Sequence, residues 1–286
     1  MGVLLKTLNA FSLPGGLTGE LDPLEAIRMA RENGYEALEL CVSQDGPFGL
    51  DLSEARGREI RAEAEAQGIA LPSIASGLYW SRSLGDADAG ARAQAEEDLR
   101  AMIRIASWIG ARTLLIIPGA VDVFFLPERA AQPHDEVLRN AEAGLRAVLP
   151  FAEEQGVRLG IENVWNRLFL TATELRDFID RIGSPMLGSY FDVGNALPFG
   201  YPEDWIRTLG HRIVGVHFKD FRRAVGTVEG FVDLLEGDAD WPAVIAALNE
   251  TGYDGPVAAE LIPAYRHYPM VRVANASRAM DAILSR

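Results

Sequence analysis

Four side chains able to bind a hard cation each stand at the end of a short apolar run in the second half of the sequence. They are Glu162 in LGIENV, Asp192 in GSYFDVGN, His217 in IVGVHFKD and Glu260 in PVAAEL. Charged groups rarely close a buried strand unless something there needs them. The steps from 162 to 192, 192 to 217 and 217 to 260 are 30, 25 and 43 residues. A strand–helix unit is about this long, so the spacing puts one such residue on each of four successive strands, all at one height. Three carboxylates and one imidazole favour Mn²⁺, Mg²⁺ or Co²⁺ over a thiolate-preferring metal. Without a cation the three carboxylates would repel one another strongly. Taken singly, a strand-end acid is commonly a helix cap or an ion-pair partner, and a lone histidine a packing residue. Four at the same end of four adjacent strands are much harder to explain that way.

Such convergence needs parallel neighbouring strands, and the flanking sequence supplies them. Apolar runs of strand length recur at 4–11, 37–42, 70–76, 113–118, 158–164, 187–193, 213–218 and 256–262. Between them lie amphipathic stretches such as SEARGREIRAEAEAQG and ARAQAEEDLRAMIRIASWIG, apolar near every third or fourth position. Gly34, Gly68, Gly110, Gly156, Gly183 and Gly252 follow these stretches as helix C-cap signals. Asp22-Pro23, Ser53, Thr173 near Glu174, and Asp240 before Trp241-Pro242 mark helix starts. The unbroken series predicts an α/β protein, a single (β/α)8 TIM barrel domain over 1–286, with its active site at the C-terminal ends of the strands. The rival is an open doubly wound sheet. It has fewer strands and often a phosphate loop after the first, whereas FSLPGGLTGELDP matches neither GxGxxG nor a P-loop. Longer loops near 78–90, 119–134, 195–204 and 221–239 all follow strands, where a barrel builds its site.

Composition narrows the partners. With 27 basic and 41 acidic residues, the net charge of −14 repels polyanions, so nucleic acid is not expected as a general partner. One cysteine, Cys41, excludes an internal disulfide and fits a reducing compartment. The start MGVLLKTLNAFSLP carries no targeting pattern and no apolar run reaches the length of a membrane span. A cytoplasmic protein acting on a small molecule, with no membrane partner, is therefore expected.

Over Ile161 to Tyr265 the motifs IENVWN, FDVGN, HFKD and AAEL resemble the xylose-isomerase-like TIM-barrel superfamily of sugar isomerases and epimerases, which also contains endonuclease IV. The resemblance implies that Glu162, Asp192, His217 and Glu260 bind one divalent ion, Mn²⁺ first and Mg²⁺, Co²⁺ or Zn²⁺ as alternatives. It also implies that Glu162 and Glu260 are an acid–base pair, as in ketose 3-epimerases. The activity implied is a metal-dependent epimerisation or isomerisation of a sugar or sugar phosphate through an enediolate. One glutamate would take the carbon-bound proton from one face, and the other would return a proton to the opposite face. Relatives are often dimers or tetramers, so a homo-oligomer is open.

The substrate contacts depart from the family pattern. Several free-sugar 3-epimerases have a histidine where this chain has Asn195, and a glutamate where Leu168-Phe169 follow Asn166-Arg167. Trp165, Asn195, Lys219, Arg223 and Arg266 are the candidate substrate-binding residues, with Glu39 and Ser76-Gly77 as further pocket-facing positions. Lys219, Arg222 and Arg223 after the seventh strand, with Arg266 and His267 after the eighth, could hold a phosphate; the plain alternative is solvated arginines paired with Asp220 or Glu229. The loop VGTVEGFVDLLEGDADW reads as a lid or as a fixed excursion. His134 and His211 read as structural. The rival activities are dehydration of an inosose or sugar acid, non-catalytic sensing of a sugar, and repair of DNA in the manner of endonuclease IV. The last would need several more histidines than the four present.

Overall fold

The computed structural model describes residues 4–126 and 128–285. Eight parallel strands close into a barrel in the order β1-β10-β7-β6-β5-β4-β3-β2. They are β1 (Leu5–Asn9), β2 (Ala37–Val42), β3 (Ser73–Ser76), β4 (Thr113–Ile116), β5 (Arg158–Glu162), β6 (Leu187–Asp192), β7 (Ile213–Phe218) and β10 (Pro256–Ala259). Two further short strands, β8 (Asp220–Phe221) and β9 (Phe231–Val232), form an antiparallel hairpin in the loop after β7. The barrel runs match the expected strands, but most expected C-terminal ends are trimmed. Residues 10–11, 117–118, 163–164 and 260–262 lie past the ladder, where the chain turns outward into the loops.

The outer layer is helical: α1 (Pro23–Glu32), α2 (Glu54–Gln67), α3 (Ala89–Ile109), α4 (His134–Gln155), α5 (Ala172–Ile182), α6 (Val193–Ala196), α7 (Pro202–Leu209), α8 (Trp241–Glu250) and α9 (Pro269–Ile283). Asp22, Ser53 and Asp240 cap α1, α2 and α8 as the sequence indicates. For α5 the cap is Thr171, not Thr173. Thr171 accepts from the Glu174 amide while the Glu174 carboxylate accepts from the Thr171 amide, a reciprocal capping box that the closer Thr173 cannot make from inside the helix. Gly68, Gly110, Gly156 and Gly183 close their helices in the left-handed conformation. Among the described residues no helix is long and apolar enough to cross a membrane.

Register sets the height of the candidate site. Glu162 pairs with Tyr190, Asp192 with His217, and His217 with Ala258. Asp192 and Glu260 therefore each stand one pleat repeat beyond the residue paired with the preceding strand, and their side chains share the interior. An irregularity helps. Ser189 pairs with Ile213 but Tyr190 with Gly215, so β7 carries an extra residue at Val214. A bulge of this kind re-aims the side chains that follow it, and here both Gly215 and His217 face the barrel interior.

Candidate metal and acid–base site

The ends of β5, β6, β7 and β10 bring Glu162, Asp192, His217 and Glu260 together, with one ligand atom from each within 4.8 Å of the others. All four are buried. His217 Nδ1 lies 3.6 Å from Glu162 Oε1, 3.7 Å from Asp192 Oδ2 and 3.5 Å from Glu260 Oε2. Yet His217 Nδ1 makes no hydrogen bond, and Asp192 Oδ2 and Glu260 Oε2 are paired with the Lys219 ammonium. A buried polar atom is rarely left without a partner, and this nitrogen beside three carboxylates that already draw in an ammonium fits a cation. The donor set, three oxygens and one nitrogen, suits a hard or borderline divalent ion.

Neighbours hold each ligand in place. Asn163 clamps β5 to β6: its Nδ2 donates to the Asp192 carbonyl at 2.9 Å and its Oδ1 accepts from the Asp192 amide at 2.7 Å. Asp192 Oδ1 accepts from the Asn195 amide at 2.7 Å, which leaves Oδ2 for the centre. Asn195 Nδ2 donates to Glu162 Oε1 at 3.3 Å, and the Asn195 carbonyl accepts from Trp165 Nε1 at 3.1 Å. Trp165 sits in an aromatic array, 5.3 Å from Phe221, 5.1 Å from Phe231, 6.2 Å from Phe124 and 6.3 Å from Phe199 between ring centroids. Lys219 directs its ammonium into the carboxylates, 3.0 Å from Asp192 Oδ2 and in contact with Glu260 Oε2.

The electrostatics follow from crowding charges in a buried space. Burial pushes the Glu162 carboxyl above its ordinary range and the Glu260 charge adds to this, against the His217 contact and the Lys219 charge. Burial opposes protonation of His217, but Glu260, Glu39 and the contact with Glu162 outweigh it, so the imidazole is held well above its ordinary value. Lys219 is likewise raised: desolvation works against its charge, and Asp192, Glu260 and Glu162 overcome it.

The candidate substrate residues divide. Trp165, Asn195 and Lys219 join the cluster. Arg223 instead donates from Nη2 to the Gly200 carbonyl at 2.9 Å and lies 4.7 Å over the Tyr201 ring, and Arg266 is exposed in the loop after β10. Arg222 donates to the Glu236 carbonyl, not to Asp220 or Glu229. Asp220 is buried and gathers the loop after β7, accepting from the Phe221, Leu235 and Ala239 amides and from Trp241 Nε1. Asp220 thus joins the two ends of that loop. Ser76 serves the turn after β3, donating to the Val42 carbonyl at 2.8 Å. His134 opens α4 and bonds the Leu168 carbonyl, and Cys41 is buried and unpaired by any disulfide.

Glu39 is wholly buried beneath His217 and bonded to it. Its partners Asn9, Ser73 and Tyr190 went unremarked in the sequence. The available signal was Tyr190 itself, since a tyrosine in an otherwise buried run between glycines needs a partner for its hydroxyl.

A closed barrel carrying this cluster defines the class, and the chain belongs to the xylose isomerase-like TIM barrel family, whose model matches residues 27–283. SgbU of Escherichia coli (strain K12), provisionally assigned as an L-ribulose-5-phosphate 3-epimerase, is 25% identical over 273 residues, covering 93% of each chain. Among solved structures, an L-ribulose 3-epimerase superimposes with a TM-score of 0.80 at 19% identity, over 99% of this chain and 95% of the other. A D-psicose 3-epimerase crystallised with D-fructose gives 0.79 at 16% identity, over 99% of this chain and 100% of the other.

Proposed function

We propose that the chain is a divalent-metal-dependent sugar epimerase that inverts carbon 3 of a ketose, free or phosphorylated, with Glu162 and Glu260 as the proton-transfer pair. The observation that carries the reading is the pair of buried glutamates at the ends of two different strands, β5 and β10, each within 3.6 Å of His217 Nδ1. The names of the relatives, sugar 3-epimerases, agree with it.

Glu162, Asp192, His217 and Glu260 would hold the ion, Mn²⁺ ahead of Mg²⁺, Co²⁺ and Zn²⁺. When bound, it supplies Lewis-acid polarisation of the ketone oxygen and its neighbouring hydroxyl. The rest falls to the protein. Each glutamate must carry a proton for part of the cycle, and the upward displacement of Glu162 suits that work. Asn195 and Trp165 fix the Glu162 carboxylate through the chain of bonds described above, and the aromatic array keeps water from the carbanion. Lys219 is placed to donate to a substrate oxygen. Arg223 and Arg266 would meet the far end of the substrate, a role that requires Arg223 to leave the Gly200 carbonyl.

The test is product analysis with Mn²⁺-loaded protein and a panel of ketoses and ketose phosphates. An isomer of unchanged mass, epimeric at carbon 3, is the expected product. An aldose product would assign isomerisation instead, and loss of one water would assign the dehydratase chemistry that the same groups can perform. No turnover across the panel by protein that binds Mn²⁺ would contradict the proposal.

A further inference from the structure

The side of His217 that faces away from the carboxylate cluster ends on a fourth acid. Glu39, in the middle of β2, has no exposed surface. Its Oε1 accepts from Asn9 Nδ2 at 2.6 Å and lies 2.7 Å from His217 Nε2. Its Oε2 accepts from Ser73 Oγ at 2.6 Å and from the Tyr190 hydroxyl at 2.5 Å. Partners from β1, β3, β6 and β7 thus converge on one carboxylate inside the barrel. Burying an unpaired carboxylate costs several kcal/mol, and four donors are what make this one tenable. The strand glycines belong to the same arrangement. A Cβ at Gly215 would lie 2.3 Å from the Tyr190 ring and one at Gly160 would lie 3.0 Å from Tyr190 Cβ, so both positions leave the room that Tyr190 occupies.

We propose that Glu39 is a positioning residue for the metal site. It accepts the hydrogen of His217 Nε2, which leaves Nδ1 as the nitrogen turned to Glu162, Asp192 and Glu260. Asn9, Ser73 and Tyr190 hold Glu39 for that purpose. The direction of the bond follows from the acceptor: a carboxylate already taking hydrogens from Asn9, Ser73 and Tyr190 has none to give, so Nε2 must be the donor. An imidazole anchored in this way presents a single nitrogen in a fixed orientation. The inference rests on the reading of the four-residue cluster as a metal site.

The experiment compares wild type with Glu39→Gln, which keeps the volume and removes the charge. Free Mn²⁺ is counted by electron paramagnetic resonance, and long-range ¹H–¹⁵N spectra of histidine-labelled, Mg²⁺-loaded protein report which His217 nitrogen carries hydrogen. Wild type is expected to bind one Mn²⁺ and to show hydrogen on Nε2. Glu39→Gln is expected to bind about 10–100-fold more weakly, the range for loss of an outer partner, with the Nε2 resonance displaced. Tyr190→Phe and Ser73→Ala each remove one donor to Glu39, leave Glu39 itself in place, and should weaken binding by smaller factors in a correctly folded protein. Equal Mn²⁺ affinity in all three variants, or hydrogen on Nδ1 in loaded wild type, would overturn the inference about Glu39 alone. Failure of wild type to bind Mn²⁺ would overturn the metal reading and this inference with it.

Discussion

At the scale of single residues, His217 couples metal binding to protons. Its raised pKa favours the protonated imidazole in the ion-free protein, and a metal needs the Nδ1 lone pair. Binding therefore releases a proton, and affinity falls as pH is lowered through the raised value. Calorimetric titrations of Mn²⁺ at pH 7 in two buffers of different ionisation enthalpy should report close to one proton released; none would contradict the account. The linkage for stability has the opposite sense. A folded pKa above the ordinary 6.5 stabilises the ion-free protein fully below that ordinary value and is lost as pH rises through the folded one. Lys219 offers a second test. Its ammonium compensates buried carboxylates, so Lys219→Met should destabilise the ion-free protein by about 3–5 kcal/mol, the cost of leaving a buried partner uncompensated. Thermal denaturation in chelator and in Mn²⁺ should show a deficit that the metal partly repairs. An unchanged melting temperature in chelator would remove Lys219 from this role. The four ligands were legible in the sequence because each is a charged group ending an apolar run. Tyr190 and Ser73 were not, because inside such runs they look like packing, and their shared partner Glu39 lies 151 and 34 positions away.

At the scale of elements, the site depends on how β5, β6 and β7 share the barrel interior. The interior glycines are part of this, and Gly215→Ala is a direct probe. Its Cβ would sit 2.3 Å from the Tyr190 ring, so the ring must move, at a cost of about 1–3 kcal/mol for overpacking. Moving the ring also breaks the Tyr190 bond to Glu39. Chemical denaturation and Mn²⁺ titration of Gly215→Ala should both show weakening, whereas two unaltered curves would mean that Tyr190 has slack. Strand positions were readable from the apolar runs, and β2 and β7 coincide with their runs in full. The bulge at Val214 was not, because an extra residue leaves no mark in an all-apolar run; only pairing reveals it. The cap of α5 was misplaced by two residues for a related reason: Thr171 and Thr173 both carry a suitable hydroxyl, and the backbone angle at the turn, not composition, selects between them. Of the two readings of the loop after β7, a lid or a fixed excursion, the Asp220 bonds to Phe221, Leu235, Ala239 and Trp241 bear on its two ends alone.

At the scale of the whole molecule, barrel closure converts four motifs spread over a hundred residues of sequence into one point. Closure could be read from the count of strand–helix units. Which residues would reach the substrate could not, since two arginines expected at a phosphate find backbone partners instead, Arg223 on Gly200 in the loop after β6 and Arg222 on Glu236 in its own loop. The central claim is that two glutamates on opposite faces exchange the proton at carbon 3, and nuclear magnetic resonance in D₂O tests it most directly. With Mn²⁺-loaded protein and a ketose substrate, the account predicts a new epimer carrying deuterium at carbon 3, with turnover lost in both Glu162→Gln and Glu260→Gln. An epimer formed without deuterium at carbon 3, or full turnover in either variant, would contradict it.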